Sequence, residues 1–187
     1  MAGNLKGGFA ASMSVFKVDL TLDIEGTIRH AKENLDDLGV STALMGSTGA
    51  GALISLDEKK ELIRVLSKHK FKEQILIGTA LTSLKDTISL MKHAIEFNQV
   101  NFLIMPCCYF QNTDESVYNW YSKIIHFVPE SKIVLYNFSK LNGGYAFSSE
   151  VTKRLINDFP SNIIGMKDST GNLWDNFKAE NFSMFVG

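Results

Sequence analysis

The sequence carries no surplus of either charge. Nineteen Lys and Arg stand against twenty Asp and Glu in 187 residues, a formal net charge of −1. A nucleic-acid-binding chain ordinarily shows a basic excess, so no nucleic-acid partner is expected. No apolar run approaches the ~20 residues of a membrane span, and no membrane role is expected. The interrupted apolarity of the N-terminal stretch reads as neither a signal peptide nor an Arg-rich transit peptide. Cysteine is nearly absent: Cys107 and Cys108 are neighbours, no CxxC occurs, and an ordinary long-range bridge is excluded. A reducing, cytoplasmic location is the default reading. The four histidines, His30, His69, His93 and His126, lie far apart and fit no metal spacing. The first three sit in charged helical segments and are expected in solvent; His126 is expected to be partly buried. There is no linker, low-complexity tract or charge block, so residues 1–187 read as one domain. A composition of 45% apolar and 21% charged residues is that of a globular chain, not a disordered one.

Compact apolar runs alternate with amphipathic stretches. Residues 42–45, 75–78, 102–105, 133–135 and 163–166 are nearly continuous apolar segments, as parallel strands buried on both faces require. Residues 183–186 form a weaker run, and 8–16 is read as a first strand. Between them, Ile24, Ile28, Ala31, Leu35 and Leu38 recur at helical spacing and stop at Gly39. Ser55 and Glu58 form a capping box opening the next helix. Leu84 to Ile95 and Val117 to Val128 carry further stripes, the second ended by Pro129. Ser148 or Ser149 caps a helix with Val151, Leu155 and Phe159, and 172–178 is a short last helix. Strand starts about 30 residues apart predict an α/β fold of the (β/α)8 TIM-barrel type. Eight such units need about 240 residues, so the expected barrel lacks its eighth strand and the C-terminal helices. An open doubly wound sheet is the structural alternative.

Three places could carry chemistry. Gly46-Ser47-Thr48-Gly49-Ala50-Gly51 follows the second strand; its glycines let backbone approach a ligand, and its hydroxyls suit a small anion such as a carboxylate. It is neither GxGxxG nor a P-loop. Lys167, in Gly165-Met166-Lys167-Asp168-Ser169, ends the sixth strand, where pleat parity puts Ile163, Gly165 and Lys167 on one face. A lysine inside a barrel can form a Schiff base with a carbonyl substrate. Tyr136, in Leu135-Tyr136-Asn137, ends the fifth strand and could relay protons. Each alone also has a plain structural reading: a tight turn, a solvated lysine, a tyrosine closing a core. All three end strands, and the ends of barrel strands are where active sites are built.

These motifs, with Gly143 seven residues after Tyr136, resemble the pyruvate-dependent class I aldolases, the superfamily of dihydrodipicolinate synthase and N-acetylneuraminate lyase. The resemblance covers nearly the whole chain. It implies a (β/α)8 fold and a homotetramer when full length. It implies a lyase acting on pyruvate and an aldehyde partner or their aldol adduct, with no metal or organic cofactor. Lys167 is then the Schiff-base lysine and Tyr136 the proton relay. Gly46, Ser47, Thr48 and Gly49 hold the pyruvate carboxylate, and Leu141, Gly165 and Ser169 complete the substrate site. Leu141 stands where the synthases have an arginine, which favours sugar-derived 2-oxo acids, as in N-acetylneuraminate lyase or the 2-keto-3-deoxy acid aldolases, over aspartate semialdehyde. Ala50, Leu141 and the cysteine pair depart from the usual pattern. The remaining alternatives are dihydrodipicolinate synthase itself, a catalytically silent 2-oxo-acid-binding relative, and a nucleotide-binding open-sheet protein.

Overall fold

The computed structural model of the chain describes residues 5–171 and 181–187. Strand and helix alternate from Phe9 to Asp168. The strands are β1 (Phe9–Ala11), β2 (Ser41–Leu44), β3 (Ile75–Gly78), β4 (Asn101–Ile104), β5 (Lys132–Asn137), β6 (Ile163–Asp168) and β7 (Ser183–Val186). The helices are α1 (Ile24–Leu38), α2 (Leu56–Leu66), α3 (Leu84–Glu96), α4 (Asp114–Phe127) and α5 (Ser149–Asp158). No described helix is long and apolar enough to cross a membrane.

The chain forms two compact units. One comprises Gly7–Ala80 and Ser89–Leu103. Its strands lie in chain order and pair in parallel, with Thr42 opposite Ala10 and Ile75, and Ile77 opposite Phe102. All four residues of β3 are buried, as a strand covered on both faces must be. Helix α1 starts because the Asp23 carboxylate accepts from Gly26 N at 3.0 Å. It ends because Gly39, at φ +62°, turns its N–H back to Leu35 O. The capping box expected at Ser55 and Glu58 is formed. The apolar faces of α1 and α2 supply Ile28, Ala31, Leu62, Ile63 and Leu66 to the core.

The other unit comprises Met1–Lys6, Leu81–Ile88 and Ile104–Gly187. Here β5, β6 and β7 pair in parallel. Helix α4 opens on a capping box of Thr113 and Ser116, which a search for Glu or Gln at the third position misses. The cap of α5 is Ser148, not Ser149. Tyr121 of α4 is fully buried and donates to Ile104 O at 2.7 Å.

Several expectations are corrected. The first strand is three residues, not the whole of 8–16. Beyond Ala11 the Ser14 hydroxyl bonds Gly49 O, and the chain turns through Leu20 at φ +69°. Asp19 holds that turn by accepting from Thr21 N and Thr21 Oγ1. His126 is exposed, on the outer side of α4, while His30, His69 and His93 are half-buried. His93 reaches Lys60 O through Nε2 at 3.0 Å. The even pleat expected over 163–167 is interrupted: Ile133 pairs Ile163 but Val134 pairs Gly165, leaving Ile164 as an extra residue. The helix expected at 172–178 lies outside the described residues.

Candidate active site

The 46–51 loop begins where β2 ends. Met45, fully buried, adopts φ +55°, a left-handed conformation that costs a side-chain-bearing residue energy. Ala50, at φ +50°, repeats the strain at the far side of the loop. Between them Gly51 N donates to Gly46 O at 3.0 Å and Ala50 N to Ser47 O at 3.1 Å, closing a tight turn. Gly49 is buried, and its carbonyl accepts the Ser14 hydroxyl at 2.6 Å. Ser47 and Thr48 stand exposed on this base. The loop is packed too closely for side chains beneath it. A Cβ on Gly51 would lie 1.9 Å from Met45 O, and one on Gly78 would lie 2.6 Å from the same oxygen. A rigid backbone turn carrying two hydroxyls can bind a small anion. In the same unit a cavity of about 490 Å³ opens between Met13, Ser14, Val15 and Phe16 and the α1 residues Arg29, His30 and Glu33; none of the candidate residues lines it.

Lys167 and Tyr136 meet in the other unit. They are register partners across β5 and β6, and the Lys167 ammonium lies 4.7 Å from the centroid of the Tyr136 ring. Tyr136 is 4% exposed, while Lys167 is half-buried. A cation over an aromatic face is held by the ring quadrupole. On β7 the register partner of Lys167 is Phe185. Beyond it Gly187 packs so tightly that a Cβ would come within 2.6 Å of Lys167 Cε and 2.2 Å of Ser169 Oγ.

The next residue along each strand does structural work. Asn137 is fully buried, and its Nδ2 donates to Asp168 Oδ1 at 3.0 Å. Its Oδ1 accepts from Phe147 N at 3.2 Å. The same carboxylate oxygen of Asp168 accepts from Thr170 N at 2.9 Å and Thr170 Oγ1 at 2.7 Å. Ser169 N donates to Asn137 O at 2.9 Å. The reactive-looking pair is therefore backed by a polar network that ties the ends of β5 and β6 together. Gly165 is buried opposite Ser183. Leu141, in a short 3-10 turn after β5, is 44% exposed. The neighbouring Asn142 accepts from Asn112 Nδ2 at 2.9 Å, which also bonds Cys107 O. Burial and the adjacent Cys107 push the Cys108 thiol up. Among the described residues no group of three or more His, Cys, Asp and Glu is placed to hold a metal ion.

Sequence reasoning missed Asn137, Asp168 and Gly187 as parts of this site. A signal for the first two was present: a polar residue follows each reactive-looking one, at matching strand ends. Gly187 offered only a glycine after an apolar run.

The chain belongs to the dihydrodipicolinate synthetase family, whose model matches residues 4–187. It is 30% identical over 174 residues to 4-hydroxy-tetrahydrodipicolinate synthase from Herminiimonas arsenicoxydans, covering 90% of this chain and 57% of that protein. It is 25% identical to the 2-dehydro-3-deoxy-D-gluconate/2-dehydro-3-deoxy-phosphogluconate aldolase of Picrophilus torridus, covering 81% of this chain and 58% of that one. YagE from E. coli K12, a prophage protein of the dihydrodipicolinic acid synthase family solved in complex with pyruvate, superposes with a TM-score of 0.77. That match has 25% identity and covers 89% of this chain and 55% of that one. The fold is thus α/β, that of the (β/α)8 barrel, of which the described residues form seven strands. The chain spans less than two thirds of the length of these relatives.

Proposed function

We propose that this chain carries the Schiff-base half of a class I lyase acting on pyruvate. The observation that carries the proposal is the pairing of Lys167 with the face of Tyr136 at the ends of adjacent strands. The Lys167 amine adds to the keto carbon of the 2-oxo acid, and a water leaves from the carbinolamine with one added proton. The product is a protonated imine, which draws electrons from C3. Loss of a C3 proton gives an enamine that attacks an aldehyde carbon; in reverse, the C3–C4 bond breaks and the aldehyde departs. The Tyr136 ring that faces the ammonium would equally face the iminium cation, a charge it stabilises by about 0.5–2 kcal/mol. Its hydroxyl is the proposed proton carrier during dehydration and carbon–carbon bond making. Ser47, Thr48 and the backbone of the 46–51 loop are the proposed carboxylate site, and Gly165 and Ser169 are further proposed substrate contacts. The electron sink is the lysine imine, so the scheme calls on no metal or organic cofactor. The working enzyme is proposed as a cytoplasmic homotetramer.

Leu141 favours a sugar-acid substrate over aspartate semialdehyde. It is exposed and apolar, and cannot grip a second carboxylate as a guanidinium does. Borohydride reduction in the presence of pyruvate tests the central step. A pyruvate-derived mass on the peptide containing Lys167 supports it; labelling elsewhere, or none in folded protein, overturns it. Labelling without turnover of any aldehyde or aldol adduct would mark a silent 2-oxo-acid-binding relative. Efficient condensation with aspartate semialdehyde would instead mark a dihydrodipicolinate synthase.

A further inference from the structure

Among the described residues, Lys59 is the largest charged side chain that is fully buried. It is fully buried in α2, and its Nζ donates to Thr79 O at 2.6 Å and Ala80 O at 3.3 Å. No carboxylate pairs with it among the described residues. The segments meeting its head, β3 with Thr79 and Ala80, contain no ionisable side chain. Burying an unpaired ammonium is expensive, and a methionine or leucine would fill the space without that cost.

What the ammonium holds explains its presence. Ala80 adopts φ +45°, a strained conformation for a residue with a side chain. Its Cβ would lie 3.0 Å from a Cβ built on Gly51. Two residues earlier, at the end of the same strand, Gly78 packs so closely that a Cβ there would lie 2.9 Å from Gly46 N. The segment gripped by Lys59 is therefore the floor on which both ends of the 46–51 loop rest. Three side-chain-bearing residues with positive φ, Met45, Ala50 and Ala80, gather around this floor. Such strain persists only where surrounding contacts over-determine the backbone.

We propose that Lys59 is a positioning residue for the anion-binding loop: by clamping the carbonyls of Thr79 and Ala80 it holds residues 46–51 in their strained, ligand-ready shape. This deepens the reading of that loop as the carboxylate site and rests on it. Lys59 touches no substrate, and its effect passes through backbone contacts alone.

The test compares the wild-type chain with Lys59→Met, which keeps the stem and loses the donors, and Lys59→Arg, which keeps a donating cation. Two readouts are taken. The first is amide hydrogen exchange at Ala50 and Gly51, the two loop N–H groups with bonds inside the turn. The second is the pyruvate concentration giving half-maximal borohydride labelling, set against the labelling rate at saturation. Lys59→Met is expected to speed exchange at both amides at least tenfold relative to Ile63 of the α2 core. It is expected to raise the half-maximal pyruvate concentration about tenfold and to change the saturating rate by less than twofold. Lys59→Arg is expected to restore both readouts to within threefold of wild type. Unchanged loop exchange in a folded Lys59→Met protein overturns the proposal, as does equal loss of affinity in the Arg and Met variants. If the wild type itself is not labelled by pyruvate, the Schiff-base reading fails while the exchange comparison still decides the clamp. If neither variant folds, the wild type decides: Ala50 and Gly51 amides exchanging at unprotected rates overturn the proposal, and protection matching Ile63 supports it.

Discussion

Replacing Lys59 with methionine should change how stability depends on pH, and the size of the change can be worked from the burial of the ammonium. Loss of water around Lys59 pulls its pKa from 10.5 down to about 8. At neutral pH the folded protein therefore holds a charge that the unfolded chain carries more comfortably. A difference of that size corresponds to a penalty of about 3 kcal/mol. Below pH 8 the penalty is present in full. Between about pH 8 and 10.5 the folded state releases its proton while the unfolded state keeps it, so stability rises with pH. Methionine has no proton to release, and ionisations elsewhere are shared by both proteins and cancel in the difference. Methionine also leaves Thr79 O and Ala80 O without their donor, a cost of about 1–3 kcal/mol for each carbonyl that finds no other. The two effects oppose each other, so the variants should differ little near pH 7.5. By pH 9.5 the wild type should have gained about 2 kcal/mol relative to Lys59→Met. Urea unfolding at pH 7.5, 8.5 and 9.5 measures this directly. A difference that stays flat across that range would show that Lys59 is hydrated or compensated in the folded protein, and the reasoning would fail.

Other outcomes follow from the same contacts. Lys167→Ala should abolish borohydride-trapped pyruvate, read by peptide mass spectrometry, with far-ultraviolet circular dichroism unchanged. Tyr136→Phe keeps the aromatic face but loses the proton carrier, and should slow imine trapping as well as lower turnover by about 10²–10⁴-fold; Tyr136→Leu removes the ring as well and should weaken trapping further. Asn137→Ala removes one donor to the buried Asp168 carboxylate and the acceptor for Phe147 N, and should cost about 2–4 kcal/mol in urea unfolding. Gly51→Ala forces a Cβ to within 1.9 Å of Met45 O and should leave little soluble folded protein, measured by expression and size-exclusion chromatography.

The strands between β2 and β6 were readable because burial on both faces writes them as unbroken apolar runs, with Ile75 to Gly78 the clearest. The helix start at Ser55 was readable, and another at Ser148 or Ser149, because a hydroxyl before an apolar stripe has a local job; which of the two adjacent serines caps was not. The segment after Ala11 was misread because its course is set by Ser14 reaching Gly49, thirty-five residues away, a contact no local pattern reports. His126 was misread for a related reason: apolar neighbours on both sides say nothing about which way one helical position faces. In the candidate site, Lys167 and Tyr136 stood out because their motifs resemble a family; that their side chains meet across neighbouring strands was not legible, since the register depends on the extra residue at Ile164. Lys59 was invisible because one lysine in a charged helix looks like any solvated surface residue until its carbonyl partners are seen.

The extra residue at Ile164 bears on how this pair could be lost over evolutionary time. Counting forward from the pairing of Ile133 with Ile163, an unbroken ladder would set Tyr136 opposite Met166 and Asn137 opposite Lys167. With Ile164 looped out, Tyr136 meets Lys167 and Asn137 meets Asp168. One slipped residue thus brings both the amine to the aromatic face and the carboxylate to the amide. Substitutions along β5 and β6 can drift while this register survives. A single-residue deletion or insertion in β6 separates both couples at once, so descendants that have abandoned the chemistry should be recognisable by a change in strand length as readily as by a missing lysine.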